Sequence, residues 1–136
     1  MGVVFSPRDE EVYSNTSGVL YPRVIELKHA NELNGMLLAT FEFATLQEPP
    51  AIPVMCSKDG GVTWERYSRV EDTQNGFGFR FQPHILELDR ACGDLPAGTI
   101  VFSANSVPLD FTSPELSFYI SRDHGKTWQF RSSVAK

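Results

Sequence analysis

One eight-residue pattern occurs twice in this chain, and it constrains the fold more than any other feature. Residues 57–64 read SKDGGVTW and residues 121–128 read SRDHGKTW, so both segments fit S-x-D-x-G-x-T-W. Asp59 and Asp123 are 64 positions apart. A pattern that returns at this spacing indicates an internal repeat, in which one supersecondary unit is copied along the chain.

The similarity continues outside these two segments. Residues 22–27 match residues 83–88, and residues 35–40 match residues 98–103, in the same order and with changes only in loop length. Each unit contains four apolar or alternating runs bounded by turn residues, which predicts four β-strands per unit. The runs are about residues 20–27, 36–43, 51–57 and 64–70 in the first unit, and 81–88, 99–105, 116–121 and 128–134 in the second.

A single four-stranded sheet cannot bury both of its faces, and β-propellers solve this by stacking such sheets around an axis. We therefore expect an all-β fold of propeller type with two antiparallel blades. Blade one covers residues 20–70 and blade two covers residues 77–134. Residues 1–19 match neither blade, and we expect them to form a tail or a strand that closes a ring.

The repeated segments, which we call the corner motifs, are predicted to be turns. The Asp side chain can accept hydrogen bonds from nearby backbone N–H groups, and the Trp offers a large surface for packing. His124 takes a variable position and is expected to be an exposed turn residue. Because both copies share the Asp, catalysis or metal binding is the weaker hypothesis, and no metal site or cofactor is predicted. The expected structural residues are Ser57, Asp59, Gly61, Thr63, Trp64, Ser121, Asp123, Gly125, Thr127 and Trp128.

The composition is that of an ordinary globular domain, with 41% apolar and 21% charged residues. The formal net charge of -5 gives no electrostatic basis for binding nucleic acid or an anionic membrane. No apolar run approaches the roughly 20 residues that span a bilayer, and the first ten residues do not read as a secretory signal. Cys56 and Cys92 fit no metal motif. Two free thiols are favoured, and a disulfide between them stays an open alternative.

With these motifs, the chain resembles the BNR/Asp-box family, which includes sialidases and related glycoside hydrolases. It is most similar to the exo-arabinanase-like branch, of the family ninety-three type. The segments that carry this resemblance are YPRV at 21–24, LLATFE at 37–42, NGFGFRFQP at 75–83 and PAGT at 96–99. The resemblance implies a six-bladed propeller more than twice this length, an extracellular location, and catalytic carboxylates in later blades. No catalytic residue is therefore assigned here.

Two departures argue against sialidase activity. If Pro22 is aligned with the proline of the sialidase R-I-P motif, Leu20 stands where the motif has arginine. Likewise, Glu42 fits the glutamate of the sialidase E-x-R pattern, but Ala44 replaces its arginine. Without these bidentate donors, a site has little means of holding a sialic-acid carboxylate.

The resemblance also implies which loops face the substrate cleft, namely those at the end of each blade opposite the corner motifs. We expect carbohydrate contacts from polar residues at this end, although each could instead satisfy backbone groups or form pairs at the blade junction. Arg23 and Glu42 could be an ion pair, and His84 could be a core histidine. The candidate sugar-binding residues are Arg23, Glu42, Arg80, Gln82, His84 and Asn105.

Three functional readings follow. The first is part of a glycoside hydrolase-like propeller for a neutral sugar, inactive alone because later blades are missing. The second is a non-catalytic sugar-binding propeller built from several copies of the chain, in which three copies would supply six blades. The third is a structural remnant with an exposed, aggregation-prone edge.

Overall fold

The computed structural model describes residues 2–5, 19–43 and 48–134, and these form two four-stranded antiparallel sheets. The predicted pair of sheets is confirmed, with strand ends within two residues of those expected. A 3-10 turn at Asn31–Leu33 connects the first two strands. Blade one contains β1 (Val19–Glu26), β2 (Leu37–Phe43), β3 (Ile52–Ser57) and β4 (Glu65–Val70), and blade two contains β5 (Phe79–Glu87), β6 (Ile100–Ser106), β7 (Glu115–Ser121) and β8 (Gln129–Val134).

The main hydrophobic core lies between the two sheets. Leu38 and Val54 of blade one belong to the same buried cluster as Ile85 and Phe102 of blade two. Period-two alternation explains this arrangement, because residues at every second position of β2, β3 and β6 point to the same face of a sheet. Burial of this shared face fixes the two blades against one another.

Residues 2–5 cover the opposite face of blade one. Phe5 packs against Phe41 and Phe43, with ring centroids 4.8 and 5.0 Å apart. A Cβ atom on Gly2 would lie 2.2 Å from the carbonyl oxygen of Gly61, so that only glycine fits at this approach to the first corner motif. Val19, the last residue of the predicted 1–19 segment, begins β1. Met1, residues 6–18 and Ala44 lie outside the described residues.

Several apolar side chains on the outer face of blade two are exposed. Leu86 and Leu116 are 39% and 36% exposed, and Val134 is 60% exposed. Their strand partners place all three on the face that points away from blade one. The outer face of blade two is therefore an apolar sheet surface, similar to the face of blade one that packs against blade two.

Antiparallel order gives the two sheets two distinct ends. The corner end carries both corner motifs, between β3 and β4 and between β7 and β8. The bulge end is where β1 and β5 begin, and both strands carry a β-bulge there. Within the described part of the chain, no helix is long and apolar enough to cross a membrane.

Candidate functional site

The two corner motifs have nearly the same hydrogen bonds. In blade one, the Oδ1 atom of Asp59 accepts bonds from the Ser57 hydroxyl at 2.8 Å and the Thr63 backbone N–H at 2.9 Å. The Oδ2 atom accepts the Thr63 hydroxyl at 2.5 Å. These donors hold the pKa of Asp59 at about 2. The carboxylate thus holds its own turn.

Blade two repeats this arrangement. The carboxylate of Asp123 accepts the Ser121 hydroxyl at 2.8 Å and the Thr127 hydroxyl at 2.6 Å. Burial pushes the pKa of Asp123 up, but the bonds from Thr127 and Ser121 outweigh it and the pKa is lowered. Both Asp side chains therefore hold their turns, and no cluster of three or more His, Cys, Asp or Glu fit for a metal ion occurs among the described residues.

His124 differs from its sequence-based expectation. It is half-buried rather than exposed, and its Nδ1 atom is buried with no hydrogen-bond partner among the described residues. Its φ of +60° is left-handed, a conformation that Gly60 adopts at the matching position of blade one. The half-burial of His124 follows from the close packing of the second corner motif on blade one, where the neighbouring Gly125 approaches Leu38 and Tyr67.

The corner motifs also differ in the partner of the tryptophan. β4 and β8 begin one residue after Trp64 and Trp128, so that both indoles belong to the turns. The indole of Trp64 donates to the carbonyl of Gly61 in its own turn, at 3.1 Å. The indole of Trp128 donates instead to the hydroxyl of Ser68 in blade one, at 3.1 Å.

The cysteines are free in the structure, as favoured from the sequence. Cys56 is buried and its thiol donates to Glu65 at 3.7 Å, whereas Cys92 is exposed. Burial raises the pKa of the Cys56 thiol, and the Glu65 carboxylate adds to this effect. Cys56 therefore stays protonated and behaves as a core residue.

The bulge end has an unusual backbone. Tyr21 has a φ of +53°, and Phe81 and Gln82 have φ values of +64° and +52°. In the sequence alignment of the two units, Tyr21 corresponds to Gln82. Non-glycine residues in this region are strained and persist only where the surrounding structure enforces them. The same strain has thus been kept at the same place in both blades.

Two of the candidate residues enforce the bulge of β5. The carboxylate of Glu42 accepts the backbone N–H of Phe81 at 2.8 Å, across the blade junction. The side-chain amide of Asn105 donates to the carbonyl of Phe81 at 3.4 Å. Burial raises the pKa of Glu42, while the bond from Phe81 and the charge of Arg80 partly offset that rise. Glu42 thus bonds to Phe81 rather than pairing with Arg23.

Arg80 connects the bulge to the loop after β2. Its Nη2 atom lies 2.9 Å from both carboxylate oxygens of Glu48. Its guanidinium group also lies 5.9 Å from the ring centroid of Phe111, which in turn is 6.2 Å from the ring of Phe81. Arg80 is only 12% exposed along its side chain. This residue therefore holds three segments of the bulge end together.

The remaining candidates are exposed. Arg23 donates to the neighbouring carbonyl of Pro22 at 3.1 Å, and Gln82 lies at the surface of the bulge. His84 is exposed opposite Ser103, so the idea of a core histidine is wrong. The structure thus groups Glu42, Arg80 and Asn105 around the backbone of β5, whereas sugar contact by any of the six candidates stays a prediction.

Sequence reasoning missed Asp72, which organises the linker between the blades. This buried carboxylate accepts the backbone N–H groups of Asn75, Phe77 and Gly78 at 3.0 to 3.1 Å. It also accepts the hydroxyl of Ser106 at 2.7 Å. The Asp-x-x-Asn-Gly turn signal in the linker could have identified the turn, but not its partner on β6.

A family model described as BNR/Asp-box repeat matches residues 119–130. Among solved structures, the chain is similar to the GH93 α-L-arabinofuranosidase of Fusarium graminearum in complex with arabinobiose. The identity is 42% and the TM-score 0.83, over 93% of this chain and 34% of that chain. For the Penicillium chrysogenum α-L-arabinanase complexed with arabinobiose, the identity is 39% and the TM-score 0.81, over 88% of this chain and 33% of that chain. No curated protein matches the chain.

These similarities confirm the resemblance to Asp-box proteins and to arabinanase-like glycoside hydrolases. They also confirm the fold class, because the two sheets match part of a propeller glycosidase. The chain spans about a third of the length of the solved relatives that it matches.

Proposed function

We propose that this chain forms one wall of the substrate cleft in an arabinanase-like glycoside hydrolase propeller, and that its bulge end contacts arabinose units. The observation that carries the proposal is the strained bulge that recurs in β1 and β5 at the end opposite the corner motifs. Retained strain clusters at ligand sites, because folding stability alone would remove it. The similarity to two structures that hold arabinobiose supports the choice of sugar.

The bulge end offers the groups that a neutral sugar needs. Tyr21 and Phe81 are 39% and 42% exposed, and their rings provide flat apolar surfaces for the C–H face of a sugar. Gln82 and Arg23 provide exposed polar groups beside them. A few fixed polar groups around apolar walls are typical of small-molecule sites.

The same geometry argues that the chain binds sugar without cleaving it. Glycoside hydrolysis usually needs two carboxyl groups placed across the scissile bond. Two of the glutamates at the bulge end, Glu42 and Glu48, are already bonded to Phe81 and Arg80. A raised pKa at Glu42 suits a general acid, but its bond to a backbone N–H gives it a structural task.

Calorimetric titration with arabinobiose tests the binding proposal. Tyr21→Gly and Gln82→Gly remove the side chains while glycine keeps the left-handed backbone. Each should weaken binding by about tenfold if the side chain contributes about 1.4 kcal/mol. His124→Gly is the matched control, since it replaces a left-handed residue at the corner end and should leave the affinity unchanged. Equal affinities for all four proteins would refute the proposed site.

Product analysis tests the absence of cleavage. The purified chain is incubated with arabinan and with arabinobiose, and released arabinose is measured by chromatography. We expect no release above the protein-free control. Release that is lost in Glu42→Gln would show instead that this chain carries its own catalytic group.

A second candidate, a sugar-binding ring of several copies, is favoured by one observation. Val70 and Val134 occupy matching positions in the repeat, which makes Ser132 the counterpart of Ser68. Ser132 is exposed on β8, beside an apolar face. Light scattering after gel filtration decides between the two candidates: the mass of three chains supports the ring, and the mass of one chain excludes it.

A further inference from the structure

A concave surface lies at the bulge end, next to the two bulges. It has a volume of about 490 Å³, within the range of roughly 300–1,000 Å³ that is usual for small-molecule sites. Glu48 and Pro49, shortly before β3, form one wall, the loop after β6 forms the other, and the linker between the blades forms the floor. We call it the rim groove; its lining includes Glu48, Pro49, Phe77, Pro108, Leu109 and Asp110.

The three segments that form the rim groove are tied to one another. The N–H of Phe79 donates to the carbonyl of Pro50 at 2.9 Å, and the N–H of Val107 donates to the carbonyl of Gly78 at 3.1 Å. A Cβ atom on Gly78 would lie 2.3 Å from the Pro50 ring, so the linker packs directly on the first wall. The groove is therefore preformed, which reduces the entropy lost on binding.

Each of the two carboxylates in the groove is bonded to one neighbouring residue of the chain. Glu48 is fixed by Arg80, and Asp110 accepts the backbone N–H and the hydroxyl of Thr112 at 3.0 and 2.7 Å. The bonds from Thr112 lower the pKa of Asp110. An ionised carboxylate offers about four lone-pair directions, so both groups keep acceptor capacity for the hydroxyl groups of a ligand.

The groove combines these acceptors with exposed apolar surface. Phe77 is 43% exposed and Leu109 is 70% exposed. No lysine or arginine is among the described residues that line the groove, which disfavours an anionic ligand. Arg80 offsets the charge of Glu48, which weakens attraction for a cation. Carboxylates that can accept hydrogen bonds from hydroxyl groups, placed beside an aromatic ring, suit a neutral polyhydroxylated ligand.

We propose that the rim groove is a second sugar subsite, which binds a neutral pentose unit through Phe77, Glu48 and Asp110. The inference rests on the proposed function, since it assigns a further unit of the same substrate. Arg80 links the two places: it directly precedes Phe81 of the bulge and bonds to Glu48 of the groove. One oligosaccharide can therefore contact both.

The test is an amide-resolved NMR titration of the whole chain with arabinobiose and with arabinotetraose. Signals of Gly76 and Leu109 report the groove, and those of Tyr21 and Gln82 report the bulge. We expect both sets to shift, and the groove set to respond at lower concentrations of the longer sugar. Shifts at the bulge alone would overturn the second subsite and leave the proposed function standing. Shifts at the groove alone would overturn the bulge end as the sugar-binding surface and leave the groove as the sugar site.

Variants separate the groove from its neighbours. Phe77→Ala should weaken the groove response by about tenfold, a loss of about 1.4 kcal/mol, and Asp110→Asn should weaken it less. Leu86→Ala, which removes an exposed apolar side chain on the outer face of blade two, is the control and should change nothing. If Phe77→Ala does not fold, Leu109→Ala takes its place. A groove that responds to lysine amide and not to arabinobiose would contradict the proposal.

Discussion

The indole of Trp128 in blade two donates a hydrogen bond of 3.1 Å to the hydroxyl of Ser68 in blade one. The same hydroxyl donates to the carbonyl of Gly125 in the corner motif of blade two, at 2.5 Å. In blade one, by contrast, the indole reaches the carbonyl of its own motif directly. Ser68 is therefore inserted into the corner of the next blade and links the two repeats.

This link predicts an unequal effect of two matched serine substitutions. Ser68→Ala removes the acceptor of the Trp128 indole and the donor to the Gly125 carbonyl, and both partners are partly shielded from water. The free energy of unfolding should fall by about 1–3 kcal/mol. Ser132→Ala at the counterpart position is exposed and should stay within about 0.5 kcal/mol of the wild type. Urea unfolding measures both, and equal midpoints would contradict the inserted role of Ser68.

A second prediction concerns acid stability at Asp59. Its pKa is lowered to about 2 in the folded chain, from an ordinary value of 3.8. A lowered pKa contributes stability that is present above the ordinary value and lost as the pH falls through the folded value. Asp59→Asn should therefore flatten the decline in stability between pH 4 and pH 2, as measured by thermal unfolding. A decline as steep in Asp59→Asn as in the wild type would contradict this role of the carboxylate.

A third prediction follows from the left-handed backbone at His124. The repeat places Gly60 at this position in blade one, without a penalty for a side chain. His124→Gly should raise the free energy of unfolding by about 0.5 kcal/mol, because relief of the left-handed strain exceeds the added entropy of the unfolded chain. Gly60→Ala should lower it by about 1 kcal/mol for the opposite reason. Calorimetry of both variants checks the signs, and a destabilised His124→Gly would contradict the account.

The linker between the blades gives a fourth prediction. Asp72→Ala leaves three backbone N–H groups and the Ser106 hydroxyl without their acceptor, so the loss should reach about 3 kcal/mol or more. Asp110→Ala, whose carboxylate caps an exposed turn, is the control and should leave the unfolding midpoint nearly unchanged. A small effect at Asp72 would mean that water replaces the carboxylate in the linker.

The repeat made the fold predictable from the sequence, because two copies of one pattern fix the strands and the corners together. The bulges were not predictable, since a bulge breaks the period-two alternation from which strands are recognised. Accordingly, β5 was predicted to begin at Phe81 and begins at Phe79. The bond of Asp72 to Ser106 and the bond of Ser68 to Gly125 were missed because these partners lie 34 and 57 positions apart in the sequence.

The grouping of three candidate residues at one end of the blades was predicted, whereas their contact with a sugar stays a prediction. Blade topology placed Glu42, Arg80 and Asn105 at one end of the molecule, and the structure brings them together around Phe81. Their bonds to the backbone and to Glu48 depend on side-chain geometry that a sequence does not encode locally. The sequence therefore predicted which end of the blades carries these residues, and the structure showed which atoms they bond to.

One measurement tests the central claim, that the paired bulges form a sugar-binding surface. Arabinobiose is added to the labelled chain while amide signals are followed at both ends of the sheets. The account predicts saturable shifts at Tyr21 and Gln82, and none at Gly60 and Gly125 in the corner motifs. Shifts confined to the corner motifs, or no saturable shift at the bulges, would contradict it.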